Sequence, residues 1–293
     1  MDGIIVVDKP QGITSHDVVA AARRILKEKR IGHTGTLDPL ATGVLPLACG
    51  RATRLVRFLT ASDKDYEATI VFGVTTDTYD VTGTETSRSG AQPARAALDD
   101  AVSRLSGEYE QTPPAYSAKK VRGRRAYEMA RDDQPVELRP APVRVTRAEI
   151  RSFSGDRAAI ALTCSAGFYV RSFAHSLGEM LGTGACLEEL RRTRSGDFWL
   201  EGAATLDALA EAAEQASESG WLVPMESLLP ALPVVRLTEE ARLRVCHGRE
   251  IEAGSTSVAA GAWARLVDEQ GQLVALAQPG ATPGSLHPAV VLI

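Results

Sequence analysis

The stretch Gly32-His33-Thr34-Gly35-Thr36-Leu37-Asp38-Pro39-Leu40-Ala41-Thr42-Gly43-Val44-Leu45-Pro46 is the densest in the chain for chemistry. Three glycines and two prolines give it an unusual backbone path, and a single acid sits in its middle. Pro39 pushes Asp38 toward an extended conformation, so the carboxylate is held on a shaped loop. A carboxylate so placed can serve as nucleophile, general base or metal ligand. An Asp-Pro pair can equally hydrogen-bond its own loop as an Asx turn. The stretch is not a phosphate loop, because the lysine of GxxxxGK(S/T) is missing. The opening GIIVVDKPQG carries no GxGxxG and so no dinucleotide fingerprint.

Composition narrows the chemistry further. The four cysteines are widely spaced and form no CxxC pair, and there are five histidines, so the sequence predicts neither a disulfide framework nor a metal site. No signal peptide and no apolar run of membrane-spanning length is present, which predicts a cytoplasmic protein without a membrane partner. Net charge is −4, but it is unevenly spread: residues 201–230 carry six acids and no base, whereas residues 112–151 carry ten bases against five acids. A locally basic face can bind RNA despite an acidic total, although an arginine-rich run can also be a solvated surface.

The elements that must position these residues are legible in outline. Residues 3–7 read as a buried strand, and Thr14 with Asp17 has capping-box spacing for a helix running to about residue 29. Residues 31–50 lack a clean period and read mainly as loop. Residues 52–59 suggest a short helix with Arg51, Arg54 and Arg57 near one face. Residues 66–73 alternate as a strand; 75–83 and 86–95 read as polar loops, and 96–105 as a helix. Residues 108–135 read as a basic, mobile insertion with a short helix near 126–130. Strands at 143–150 and 157–164 form a hairpin, and helices follow at 169–181 and 206–216. A proline-containing junction near 229–233 marks a boundary, beyond which a short helix and runs at 263–267, 273–277 and 289–293 predict a small β-rich unit.

Five stretches, in one order, resemble the TruB family of bacterial tRNA pseudouridine synthases. They are residues 7–15 (VDKPQGITS), residues 32–47, Lys64-Asp65-Tyr66 with residues 76–83 (TDTYDVTG), residues 111–120 (QTPPAYSAKK) and residues 164–172 (CSAGFYVRS). The resemblance runs through most of residues 3–195. It implies an α+β fold, a mixed and mostly antiparallel sheet flanked by helices, with a catalytic domain over 1–229. Residues 112–134 correspond to a thumb-like RNA-binding insertion, and 230–293 to a small PUA-like β-rich RNA-binding domain. The implied activity is conversion of a T-loop uridine of tRNA, position 55, to pseudouridine after base flipping.

Site roles follow from the same resemblance. Asp38 corresponds to the catalytic aspartate and Arg171 to its partner. Tyr66 matches the tyrosine stacked on the flipped base, and His33 the residue that fills the vacated place. Asp80 and Tyr169 match further pocket residues. Lys9, Pro10, Gly35 and Pro39 match structural positions. Lys64, Lys119, Lys120, Arg122 and Arg124 are expected to contact the RNA backbone. The T-arm and elbow of tRNA are the expected partner, with no cofactor, no metal and no obligatory protein partner. Ala166 and Phe168 stand where many members have lysine and threonine, and the loss of a lysine implies weaker or more salt-sensitive RNA binding.

The chemistry is consistent with these residue types. Pseudouridine formation breaks the N1–C1′ bond, turns the uracil and forms a C5–C1′ bond, with no redox or phosphoryl step. One carboxylate can attack C1′, attack C6, or abstract a sugar proton, and the residues do not choose among these routes. Flipping a base costs a few kcal/mol, of which aromatic stacking recovers about 1–3. An RNA-binding or RNA-folding protein without catalysis is the alternative class. It would use the basic segments but would have no need of Asp38, Tyr66 and Arg171 together.

Overall fold

The structure is a computed structural model and describes residues 1–117, 119–121, 124–132, 138–215, 220–254 and 258–293. β1 (Gly3–Lys9) outruns its apolar core because β3 continues to pair Asp8 and Lys9. α1 (Ser15–Leu26) opens on the expected capping box: Asp17 N donates to Thr14 Oγ1 at 3.1 Å, and Thr14 N donates to Asp17 Oδ2 at 2.8 Å. It stops short of residue 29 because Lys27 turns left-handed at φ 52°.

Residues 31–50 are not mainly loop. They form β2 (Ile31–His33) and β3 (Thr42–Cys49), the latter buried from Gly43 onward. Glycine and proline hid this strand. Pro46 is tolerated because its carbonyl accepts from Thr34 N at 3.0 Å, so its nitrogen faces the same flank, in a gap between two partners of β3 where no ladder bond is lost. Gly43 is obligatory. Its φ is +98°, and a Cβ there would lie 2.2 Å from the backbone oxygen of Arg192. Gly35 has no such constraint, since the nearest atom to a Cβ would be 3.7 Å away; the sterically required glycine of this stretch is Gly43.

The arginine-spaced segment is a 3-10 turn running into α2 (Val56–Thr60), and β4 (Lys64–Phe72) follows as expected. Part of the polar stretch after it is a small hairpin, β5 (Val74–Thr76) and β6 (Glu85–Arg88), rather than loop; β6 is wholly exposed and so carries no apolar alternation. α3 (Arg95–Arg104) leads to β7 (Gly107–Gln111), an edge strand of the main sheet, so the segment 108–135 begins as sheet and not as insertion. β8 (Lys120–Val121), β9 (Arg124–Arg125) and α4 (Ala126–Arg131) come next, then the expected hairpin of β10 (Ala141–Phe153) and β11 (Arg157–Cys164). α5 (Val170–Leu181) is followed by β12 (Ala185–Ser195), a strand the sequence did not announce. β13 (Phe198–Trp199), α6 (Leu206–Glu214) and β14 (Leu222–Pro224) complete this body.

Ten strands make one sheet in the order β14-β1-β3-β12-β4-β11-β10-β7, with β2 added to β3 and β13 to β12. All pairs are antiparallel except β3 with β12. The mixed, mostly antiparallel α+β expectation holds. One face packs under the helices, where Ile5, Leu45, Leu47 and Ile70 meet Val18, Leu98, Phe173 and Leu177. On the other face Ile4, Val6, Val44 and Ala48 pack with Leu55, Leu273, Leu276 and Val290. The last four belong to α2's approach and to a second sheet. That sheet consists of β15 (Val234–Arg236), β16 (Ile251–Glu252), β17 (Ala264–Val267), β18 (Leu273–Pro279) and β19 (Ser285–Val291), with α7 (Glu239–Cys246) against it. No helix among the described residues is long and apolar enough to cross a membrane.

Candidate active site

The loop between β2 and β3 carries Asp38. Asp38 O accepts from Ala41 N at 3.0 Å, closing a turn with Pro39 at its second position, where a fixed φ is favoured. Three buried side chains pin this loop from below. Lys9 is 0 % exposed, and its Nζ donates to the carbonyls of Pro10 (2.8 Å), Ala41 (2.7 Å) and Pro39 (3.4 Å). Desolvation pushes the Lys9 ammonium down to about 8, partly offset by Asp38 nearby. Ser15 Oγ donates to Leu37 O at 3.0 Å and accepts from Leu37 N at 2.8 Å. Arg192 is 1 % exposed; its Nε donates to Val44 O at 2.7 Å and its NH2 to Gly35 O at 3.1 Å. Lys9, Pro10 and Pro39 thus lie together beneath the Asp38 loop. Ser15 and Arg192 were not foreseen.

Arg171, in the first turn of α5, reaches Asp38. Its Nε lies 2.8 Å from Asp38 Oδ2 and 3.7 Å from Asp80 Oδ2; the side chain of Asp38 is 37 % exposed and that of Arg171 only 5 %. The Nε proton is not aligned on either oxygen, so the Asp38 contact is an ion pair rather than a directed hydrogen bond. The other two nitrogens are anchored: NH1 donates to Thr78 O at 3.0 Å and NH2 to Tyr116 O at 2.9 Å. Asp80 is itself held. Its Oδ1 accepts from Thr78 Oγ1 (2.9 Å), Thr82 N (3.0 Å) and Thr82 Oγ1 (2.5 Å), an Asx turn that leaves Oδ2 facing Arg171. The intervening Tyr79 is left-handed at φ 63°, and its ring stacks on His175 at 3.9 Å and 6°. A tyrosine in a stretch that reads as a polar loop gave no sign of that stack.

Tyr66, on β4, is buried, and burial raises its phenol above the ordinary value although the Arg192 guanidinium beside it opposes the shift. Tyr169 precedes α5. Its backbone is clamped by Gln111, whose Nε2 donates to Tyr169 O at 3.0 Å while Tyr169 N donates to Oε1 at 2.8 Å. Burial is the chief cause that raises its phenol, and the Asp38 carboxylate nearby adds to it. His33 ends β2, half-buried, with no hydrogen bond to Nδ1 among the described residues. Burial, with the charges of Arg192 and His16, lowers its pKa and keeps the ring neutral at neutral pH. Around the Asp38 carboxylate the structure therefore brings together Arg171, Asp80, Tyr66 and Tyr169, over a floor of Lys9 and Arg192.

The expected RNA-backbone contacts divide differently. Lys64 differs from the expectation of an exposed cation: it is 6 % exposed, its Nζ donates to the carbonyls of Thr60 and Ser62, and it sits between β11 and β12, so little of it is offered to a phosphate. Arg124 pairs with Asp132 at 2.8 Å, and Lys119 Nζ donates to Arg139 O at 3.4 Å. Lys120 lies on β8 opposite Arg125, and Arg122 falls outside the described residues. Among the described residues no three metal-ligating side chains converge.

Comparison with known proteins places the chain in a family. Residues 23–170 match the model of the TruB family pseudouridylate synthase N-terminal domain, and residues 171–230 that of the tRNA pseudouridylate synthase B C-terminal domain. The chain belongs to the TruB family of pseudouridylate synthases. It is accordingly an isomerase. It is 45 % identical to tRNA pseudouridine synthase B of Solibacter usitatus over the whole of both chains. It is 42 % identical to that of Thermobifida fusca, covering 99 % of this chain and 98 % of the relative. In fold it is similar to the structure of a Cbf5-Nop10-Gar1 complex at TM-score 0.78 and 28 % identity, over 99 % of this chain and 85 % of that one. An H/ACA RNP bound to a substrate RNA containing 2′-deoxyuridine matches at TM-score 0.76 and 27 % identity, over the same shares.

Proposed function

We propose that the chain converts one T-loop uridine of tRNA, position 55, to pseudouridine, with Asp38 as the reacting carboxylate. The observation that carries this reading is the Asp38–Arg171 pair: an accessible carboxylate backed by a buried guanidinium, at 2.8 Å, with Tyr66 and Tyr169 beside it. The relatives' names point to tRNA. The uridine leaves the T-loop stack and lies on Tyr66, and the neutral His33 ring takes its place. The N1–C1′ bond breaks, the uracil turns, C5 bonds to C1′, and the proton lost from C5 is balanced by one gained at N1. Residues 112–134 supply contacts to the T-arm and elbow, the sheet of residues 230–293 serves as a PUA-like RNA contact, and neither cofactor nor protein partner is needed in the cytoplasm. Single-turnover reaction with an unmodified tRNA transcript, mapped at nucleotide resolution, should give pseudouridine at that T-loop position. Product at another position, or none, would overturn the reading.

Phosphate contacts need cations that the protein does not already use. The expected arginine face is committed: Arg51 pairs with Asp2, Arg54 donates to Val291 O, and Arg57 covers the rings of Phe58 and Trp263. The end of α1 is different. Arg24, Lys27, Lys29 and Arg30 are exposed, and none makes an ion pair or side-chain hydrogen bond among the described residues. The chain then leads directly through β2 to His33. Changing all four to glutamine should weaken tRNA binding at least about tenfold and flatten the log Kd against log salt slope by about 3, at roughly 0.7–0.9 per lost phosphate contact. The rate at saturating tRNA should hold, and an unaltered salt slope would remove the cluster from the interface.

A further inference from the structure

Arg192 is among the largest fully buried side chains of the protein, and no carboxylate pairs with it among the described residues. Its neighbours on β12 do have partners: Arg191 pairs with Asp8 at 2.7 Å and Arg194 with Asp65 at 2.8 Å. Burying a lone guanidinium costs more than burying an apolar side chain of similar volume, so packing alone does not account for it.

Its place in the sheet does. On one side Arg192 is in register with Gly43 of β3; on the other it is in register with Tyr66 of β4. The backbone of one residue thus joins the strand that ends the Asp38 loop to the strand that carries the stacking tyrosine. The close approach on the β3 side is possible only because Gly43 has no side chain. The guanidinium then passes under the loop and bonds the carbonyls of Gly35 and Val44, one on each side of Asp38, while lying beside the Tyr66 phenol. A planar fork can satisfy acceptors in several fixed directions at once, which a lysine ammonium or a neutral side chain cannot reproduce.

We propose that Arg192 is a positioning residue that sets the Asp38 loop against Tyr66, so that the carboxylate and the stacked base meet at reacting distance. It touches neither substrate nor reacting atoms. This rests on the proposed role of Asp38. The test compares Arg192→Lys and Arg192→Met, each alone and with Tyr66→Phe, beside Asp38→Asn. Arg192→Lys should stay folded, bind tRNA within about threefold of the unaltered protein, and lose about 100-fold in single-turnover rate at saturating tRNA, the scale expected of a small misplacement. In the Tyr66→Phe background the same change should cost less than about tenfold, because the link being broken is already cut at one end. Arg192→Met should lose at least as much rate as Arg192→Lys; if it does not fold, the lysine variant carries the test. A folded Arg192→Lys protein with an unaltered rate would overturn the proposal. So would a loss confined to tRNA affinity, or an equal loss in both backgrounds. Product formation by Asp38→Asn would instead sink the reading of the site on which the proposal stands.

Discussion

Asp38→Asn should yield a protein that folds, binds tRNA within about threefold of the parent, and turns over below about 1 part in 10,000. All three routes open to a single carboxylate require an anionic oxygen at this position, and an amide offers none. The test therefore does not depend on which route operates. Stability should change little. The Asp38 side chain is 37 % exposed, its contact with Arg171 lacks hydrogen-bond alignment, and without it the buried guanidinium keeps Asp80 as counter-charge and the carbonyls of Thr78 and Tyr116 as acceptors. The turn itself survives, because it is closed by the backbone oxygen of Asp38 and by Lys9, Ser15 and Arg192 acting on its neighbours. Single-turnover assay, filter binding and thermal unfolding measure the three quantities separately. Product at a tenth of the parent rate would remove Asp38 from the chemistry. Loss of tRNA affinity in step with rate would make it a binding residue.

What the sequence made legible, and what it did not, follows from where each signal is stored. The Asp38 turn is written locally, in a proline that fixes φ and in flanking glycines, and α1 is written in its capping box. The helix bearing Arg171 shows a 3.6-residue stripe. By contrast, β3 and β12 owe their burial to the whole sheet. β3 contains a proline that the topology spares, and β12 is bulged twice against β4 and rich in charge, so neither shows a period of two. Lys64 was misplaced for the same reason. A lysine after Ser62 and Asp63 reads as a surface cation, and only the closing of β11 and β12 on either side of it removes it from water. Desolvation and the nearby Arg192 charge push its ammonium down to about 8. Arg192 is the sharpest case: in the run Leu190-Arg191-Arg192-Thr193-Arg194 three arginines look alike, yet the first and third face carboxylates and the second is the pin beneath the site. Residue type gave the chemistry, and tertiary pairing decided which copy performs it.

Arg171→Met should destroy both activity and stability, which separates it from Asp38→Asn. The guanidinium is 5 % exposed and serves four groups at once: Asp38, Asp80 and the carbonyls of Thr78 and Tyr116. Without it the two carbonyls lose their donor and Asp80, itself buried, keeps three hydrogen bonds but no counter-charge. Breaking one side of a buried pair costs about 3–5 kcal/mol, because the remaining charge stays desolvated. Urea unfolding should show that loss as a lower midpoint with an unchanged slope. The contact with Tyr116 ties α5 to the first part of residues 112–134, so tRNA affinity should fall as well, whereas Asp38→Asn spares it. Adding Asp80→Asn to Arg171→Met should recover part of the stability, since the stranded carboxylate is then neutral, while activity stays lost because Asp38 no longer has its partner. A double variant no more stable than Arg171→Met alone would show that Arg171 stabilises the fold through the carbonyls and not through Asp80.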